Sequence, residues 1–193
     1  MELRERILKA AADVYAASGF RGATTRRIAE QAGVNEVTLF RHFGSKTRLL
    51  QEAMSCAGFA SAHCELPLTP VDPRAELAEW AGRTHADLFA KRSLIRTAMG
   101  EIEERPDFLL TEHSPPVCAG QALHAYLERL KTAGLITAEA DCRAAAAMFM
   151  GTLFADAVTR DVLASVFADP PETSLKRYVD LFVRALGVEE PTP

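Results

Sequence analysis

The sequence predicts an all-α protein, in which an N-terminal three-helix domain with a helix-turn-helix precedes a helical bundle, for about nine helices in total. Three observations support this fold class. Apolar residues recur at helical spacing along most of the chain, sustained period-two alternation is absent, and no Asn-Gly or Asp-Gly pair marks a hairpin. A length of 193 residues and an apolar fraction of 48% are ordinary for a globular protein with a substantial core.

Glycines and prolines divide the chain into the predicted helices. The first three span residues 3–18, 25–32 and 36–42, with Gly19 as a left-handed cap, Gly33 in the turn and Asn35 as an N-cap. Six more are predicted over residues 46–62, 73–91, 93–104, 115–133, 138–165 and 173–186. We expect two domains, a helix-turn-helix domain over residues 1–46 and a ligand-binding and dimerisation domain over residues 47–193.

The charge of the chain is distributed unevenly. The net formal charge is -4, but residues 1–50 hold nine Lys or Arg against five Asp or Glu, whereas residues 51–193 hold thirteen against twenty-one. A basic N-terminal quarter on an acidic body suits a protein whose first domain binds DNA. The N-terminus lacks the apolar segment of a signal peptide, and the longest apolar stretch is too short to span a bilayer, so we expect a cytoplasmic protein without membrane contact.

Residues 24–49 have the spacing of a helix-turn-helix. That motif needs a small residue where its helices touch, a turn residue that tolerates positive φ, and an aliphatic residue that closes the core. Ala29, Gly33 and Leu39 meet these three requirements in order. The alternative is a trihelical packing unit with a solvated outer face, but the basic excess and the short helices favour DNA binding.

The second helix of the motif has a core face and an outward face. At about 100° per residue, Leu39 points to the core whereas Val37, Thr38 and Arg41 point away from it, where they could enter a major groove. Arg41 is expected to donate to guanine or phosphate, and Val37 to pack on a thymine methyl. Lys46 and the N-terminus of the first motif helix are expected at phosphates.

Three runs of residues carry a resemblance: those from Ala11 to Phe20, from Thr24 to Val34 and from Thr38 to Lys46. Together they resemble the DNA-binding domain of the TetR family of transcriptional regulators. The resemblance implies that Thr38, Phe40, His42 and Lys46 contact DNA, often its backbone. The family usually has tyrosine at the position of Phe40 and often an acidic residue at the position of Arg48. The predicted DNA-contacting residues are therefore Thr24, Thr25, Arg26, Arg27, Asn35, Glu36, Val37, Thr38, Phe40, Arg41, His42 and Lys46.

The resemblance over residues 51–193 is architectural, and it implies a homodimer and a ligand pocket inside the body. Candidate pocket walls are apolar residues of the middle helices, for which ordinary core is the alternative: Trp80, Phe89, Met99, Phe108, Leu123, Met148 and Phe149. Candidate dimer contacts are stripes on the last two helices, for which packing inside one chain is the alternative: Ala147, Gly151, Ala155, Val158, Tyr178 and Phe182.

Other titratable residues suggest no chemistry. No phosphate-cradling loop, GxSxG or HExxH motif is present, so we expect no enzyme, no metal and no cofactor. His85, His113 and His124 lack metal-ligand spacing, and the run of Glu101, Glu103 and Glu104 is interpreted as a solvated face. The four cysteines, Cys56, Cys64, Cys118 and Cys142, are expected to be reduced and apolar in role, with redox sensing by Cys56 and Cys64 as the alternative.

The function predicted from these features is sequence-specific DNA binding. We expect a repressor that a small, apolar ligand releases from a pseudo-palindromic operator bound by the dimer. One alternative is a DNA-binding regulator without a small-molecule switch, controlled by a protein partner or by its own concentration. Another is an enzyme or a different binding protein on an all-helical scaffold.

Overall fold

A computed structural model describes residues 2–57, 65–105 and 115–188, with only the backbone described at residues 55–57 and 115–116. Within these ranges all regular structure is helical, which confirms the predicted fold class. The helices are α1 (Leu3–Gly22), α2 (Thr25–Ala32), α3 (Glu36–Phe43), α4 (Lys46–Ala57), α5 (Pro73–Ala90), α6 (Arg92–Gly100), α7 (Pro115–Thr132), α8 (Cys142–Thr159) and α9 (Pro171–Ala185).

Both ends of α8 differ from the prediction for identifiable reasons. Helix α8 begins four residues late because the Asp141 side chain caps it, accepting from the Ala144 N–H at 3.0 Å. It ends at Thr159 rather than near residue 165, because the Arg160 guanidinium binds the backbone carbonyls of Phe167, at 3.0 Å, and of Asp169. These bonds hold the following segment in a turn.

Two compact units make up the chain. One comprises Met1–Ala60 with Lys91–Pro115, and the other comprises Ser61–Ala90 with Pro116–Pro193. Helices α4 and α6 thus belong with the three N-terminal helices, whereas the sequence suggested a division after residue 46. We call these assemblies unit one and unit two.

Unit one is built around α1. Its buried face, which includes Ile7, Ala11 and Tyr15, packs against α2, α4 and α6. Leu94 and Ala98 bring α6 into the same apolar core, and the Thr97 hydroxyl donates to the Ala16 carbonyl at 2.9 Å. Helix α6 is therefore an integral layer of this unit.

Glu101 corrects the interpretation of residues 101–104 as a solvated face. Its two carboxylate oxygens accept from the Phe20 N–H at 2.8 Å and from the Tyr15 hydroxyl at 2.9 Å. The Phe20 N–H is available because α1 is interrupted at Gly19, which has φ 65° and ψ -176°. Gly19 therefore has the predicted positive φ, but its extended ψ makes a kink rather than a left-handed cap. Glu103 and Glu104 are exposed, as expected.

Unit two has an aromatic core. The rings of Phe149 and Phe182 stack with centroids 4.2 Å apart, and Trp80 stacks on Phe149 at 6.4 Å. Tyr126 is fully buried, and its hydroxyl donates to the Glu76 carboxylate at 2.5 Å. These contacts join α5, α7, α8 and α9 around one interior.

A buried polar network crosses the same unit. The Asp156 carboxylate, which is 0% exposed, accepts from Tyr178 at 2.7 Å and from two nitrogens of Arg160 at 2.6 and 2.7 Å. Nε2 of His85 lies 2.9 Å from the same carboxylate. Burial alone would raise the pKa of Asp156, but the bonds from Arg160, Tyr178 and His85 outweigh it and hold the pKa below its usual value. His85 is thus a core residue tied to α8.

Two of the four cysteines lie among the described residues of unit two. Cys118 is half-buried and Cys142 buried, and both are free thiols; Cys64 and the side chain of Cys56 lie outside the described residues. None of the described helices is both long and apolar enough to cross a membrane. Across residues 2–57, 65–105 and 115–188, no three His, Cys, Asp or Glu side chains are grouped as metal ligands would be.

Candidate nucleic-acid interface

Side-chain caps define both helices of the helix-turn-helix. The Thr24 hydroxyl oxygen accepts from the Arg27 N–H at 3.3 Å at the start of α2. Asn35 caps α3, because its side-chain oxygen accepts from the Thr38 N–H at 2.8 Å and from the Thr38 hydroxyl at 2.9 Å. Each such cap is worth about 1 kcal/mol. The two short helices therefore begin at fixed residues.

The turn between α2 and α3 depends on Gly33. This residue adopts φ 68° and ψ 40°, a left-handed conformation that residues with a Cβ avoid. Its N–H bonds back to the last turn of α2, and the Val34 N–H donates to the Ala29 carbonyl at 3.0 Å. Ala29 is buried where α2 and α3 meet, as the motif spacing predicts. The turn thus sets the angle at which α3 leaves α2.

Helix α3 has the two predicted faces. Leu39 and Phe43 are 2% exposed and belong to the core of unit one. Val37, on the opposite side, is 75% exposed, and Phe40, on the flank of the helix, is 48% exposed. Arg41 is exposed too, and within the described residues it has no ion pair or hydrogen bond. An apolar side chain, an aromatic ring and an uncompensated guanidinium thus project from one short, rigid helix.

Four predicted contact residues are hydrogen-bonded to one another in two pairs. The Thr25 hydroxyl donates to the Glu36 carboxylate at 2.5 Å, which ties α2 to α3. Thr38 is half-buried against its Asn35 cap, so its hydroxyl proton is already used while its oxygen can still accept. These residues orient α3, and the outer residues of the helix provide the exposed groups.

Basic residues flank α3 on both neighbouring helices. Arg26 pairs with Glu30 one turn along α2, and the Arg27 guanidinium donates to the Gly22 carbonyl at 3.0 Å. His42 is exposed at the end of α3 and its ring lies near that of Phe43. At the start of α4, the Lys46 ammonium lies over the Phe20 ring, 4.4 Å from its centroid. The predicted interface residues thus surround one exposed helix.

The predicted pocket walls fall into different environments. Trp80 and Leu123 are fully buried, Phe149 is nearly so, and Phe89 stacks on His85 with centroids 6.3 Å apart. Met148 is 73% exposed, so it does not wall an interior cavity of unit two. Met99 belongs to unit one and is 52% exposed, and Phe108 lies outside the described residues.

An open groove of about 390 Å³ lies elsewhere in unit two, between the segment before α5 and the end of α7. No predicted pocket residue lines it. Its walls are Leu68, Thr69, Pro70, Glu128, Arg129, Thr132 and Ala133.

The predicted dimer contacts divide into exposed and internal residues. Ala147, Gly151 and Ala155 form an exposed stripe of small residues along α8. Val158, by contrast, is 2% exposed and packs inside its own unit. Tyr178 and Phe182 also face inward, toward Asp156 and Phe149 respectively. Helix α9 exposes one large apolar side chain, that of Leu181, which is not among the predicted dimer contacts.

Comparisons with known proteins agree with this arrangement. Residues 7–53 match the family described as bacterial regulatory proteins, tetR family. The chain is 27% identical over 186 residues to YvkB, an HTH-type transcriptional regulator of Bacillus subtilis, which covers 96% of this chain and 97% of that protein. It is 30% identical over 107 residues to Rv3405c, an HTH-type transcriptional repressor of Mycobacterium tuberculosis, covering 54% and 53% of the two chains.

The fold has close counterparts among solved structures. A TetR-family regulator from Mesorhizobium loti superimposes with a TM-score of 0.73 over 95% of this chain and 94% of the other, at 21% sequence identity. Regulators of this family bind DNA as homodimers. These similarities show that residues 7–53 match the DNA-binding domain of the tetR family of bacterial regulatory proteins, and that the chain as a whole resembles helix-turn-helix transcriptional regulators in sequence and in fold.

Proposed function

We propose that this regulator is a repressor that binds a pseudo-palindromic operator as a homodimer and is released by a small, apolar ligand. The observation that carries DNA recognition is the outward face of α3, where Val37, Phe40 and Arg41 project from a helix fixed by the Asn35 cap and the Gly33 turn. A major groove admits one such helix, and its exposed groups then meet base edges. Similar proteins that are named repressors support the direction of regulation.

Binding to DNA can be tested without knowing the operator. Purified protein is titrated into fluorescent duplexes selected from random DNA, at two salt concentrations, and anisotropy is followed. We expect a pseudo-palindromic sequence to be enriched, with affinity at least about a thousandfold above that for bulk DNA and a steep dependence on salt. Weak binding without sequence enrichment would contradict the proposal.

Arg41→Ala is expected to weaken operator binding by about ten- to a hundredfold, the value of one good base contact of about 1 to 3 kcal/mol. The loss should relax the preference at one base position rather than reduce binding to all sequences equally. Lys9→Ala is the matched control, because Lys9 lies in the same unit and its charge is already paired with Asp13 at 2.8 Å. Equal losses in the two variants would show that Arg41 reads no base.

Dimerisation is proposed to use the exposed α8 stripe together with Leu181. Gly151→Glu is expected to convert the dimer into a monomer and to abolish tight operator binding, because a buried charge opposes close helix approach. A Cβ at Gly151 meets nothing within 4 Å, so the monomer should still fold. Gly120→Glu in α7 is the control, since that glycine is equally open. Sedimentation equilibrium gives the oligomeric state, and a dimeric Gly151→Glu variant would exclude this interface.

Ligand release requires space that unit two must open. Trp80, Phe149 and Phe182 fill its interior by stacking on one another, so an apolar ligand is proposed to enter by separating these rings. A library of apolar molecules is screened for dissociation of the operator complex. An active molecule should also quench the fluorescence of Trp80, the single tryptophan. If release occurs without any change in Trp80 fluorescence, the ligand binds elsewhere.

A further inference from the structure

Two cations share one aromatic ring in unit one. The Lys46 ammonium lies 4.4 Å from the Phe20 ring centroid, and the Arg105 guanidinium carbon lies 3.7 Å from the same centroid. The Lys46 ammonium nitrogen and the Arg105 guanidinium carbon are therefore no farther apart than the sum of these two distances. Lys46 begins α4, next to the helix-turn-helix, whereas Arg105 follows α6, almost sixty residues farther along the chain.

The nearest carboxylate is occupied by other donors. Both oxygens of Glu101 accept hydrogen bonds, from the Phe20 N–H and from the Tyr15 hydroxyl. Among the described residues, neither Lys46 nor Arg105 forms a salt bridge. Glu104, the other acidic residue close in sequence, pairs at 3.7 Å with Arg21. The two cations thus stand together without a directly bound carboxylate.

The electrostatics of Lys46 reflect this crowding. Partial burial lowers its pKa first, the positive charge of Arg105 lowers it further, and Glu101 offsets only part of the effect. Like charges held close together repel each other, and an anion placed between them would relieve the repulsion. Lys46 is already predicted to contact the DNA backbone, so the anion expected near these two cations is a DNA phosphate.

We propose that Arg105 is a further DNA-backbone contact, which joins Lys46 on the Phe20 ring to bind operator phosphate. This inference rests on the proposed DNA-binding function and adds a residue from outside the helix-turn-helix to it. Phe20 acts as a positioning residue, because its ring holds both cations and its backbone N–H is held by Glu101. The segment after α6 thereby contributes directly to affinity for DNA.

The dependence of operator affinity on salt tests the assignment. Each phosphate contact contributes about one unit to the slope of log K against log salt. Arg105→Gln is expected to reduce this slope by about 1 for each bound protomer and to leave the selected operator sequence unchanged. Arg105→Lys should keep most of the slope, because the charge is retained. Lys9→Gln, which removes a charge already paired with Asp13, should change the slope little.

The outcomes separate this inference from the function on which it rests. Wild-type protein without sequence-specific affinity would overturn both. Wild-type binding with the same salt slope in Arg105→Gln, in protein whose thermal unfolding shows it to be folded, would overturn the Arg105 contact alone. A reduced slope in Arg105→Gln, with a further and additive reduction in the Lys46→Gln, Arg105→Gln double variant, would establish two separate backbone contacts.

Discussion

Replacing Asp156 with asparagine is expected to lower the free energy of unfolding by about 3 to 5 kcal/mol at pH 7. Removing the carboxylate charge leaves Arg160, whose side chain is 12% exposed, without its counter-ion. The hydrogen bonds from Tyr178 and His85 lose a charged acceptor at the same time. Urea denaturation of the two proteins at equal concentration measures the difference.

The effect of this substitution should depend on pH in a specific direction. The pKa of Asp156 is lower in the folded protein than in the unfolded chain, where it is about 3.9. Its contribution to stability is therefore complete above that value and is lost as the pH falls through the folded pKa. The gap between wild type and Asp156→Asn should be constant near neutrality and narrow below about pH 4.

Asp13→Asn provides the matched control. It makes the same chemical change at an exposed pair with Lys9, for which a change within about 0.5 kcal/mol is expected. A comparably small effect at Asp156 would mean that the buried network adds no more stability than a surface ion pair.

Gly19→Ala is expected to destabilise the protein by about 3 to 5 kcal/mol. The backbone at Gly19, with φ 65° and ψ -176°, lies in a region that is essentially restricted to glycine. An added Cβ would also stand 2.5 Å from Oε1 of Glu101, the atom that accepts from the Phe20 N–H. The carboxylate would have to move, and the bonds from Phe20 and Tyr15 would be weakened or broken.

Gly82→Ala is the control for that substitution and should have the opposite sign. Gly82 lies within α5 and a Cβ there meets nothing within 4 Å, so alanine should stabilise the protein by about 0.4 to 1 kcal/mol. Thermal unfolding of the two variants and of the wild type measures both changes in stability. Similar small changes at both positions would show that the kink at Gly19 is not required for folding.

Local signals account for what the sequence predicted well. The caps at Thr24 and Asn35, the turn at Gly33 and the core position of Leu39 all depend on residues within one or two helical turns. Such short-range rules also predicted which side of α3 is exposed, as the 75% exposure of Val37 shows. The helix-turn-helix could therefore be placed residue by residue.

Contacts between distant residues account for what the sequence missed. Glu101 accepts from Tyr15, 86 residues away, and no local pattern distinguishes such a glutamate from a solvated one. Similarly, the periodicity of α8 placed Val158 on the same stripe as exposed residues, but Val158 is only 2% exposed. The contacts and burial of these residues depend on tertiary packing, which the pattern of a single helix cannot predict.

The return of α6 to unit one limits how this protein can be recombined. A fragment ending after α4 would uncover the face of α1 that Leu94 and Ala98 cover, and would leave the Phe20 N–H and the Tyr15 hydroxyl without Glu101. A chimaera spliced at the end of α4 would set a foreign α6 against the native α1. Moving unit one intact into another protein therefore requires two segments, residues 2–57 and 91–105. In this chain, the unit that carries the helix-turn-helix is not an N-terminal segment that can be exchanged by itself.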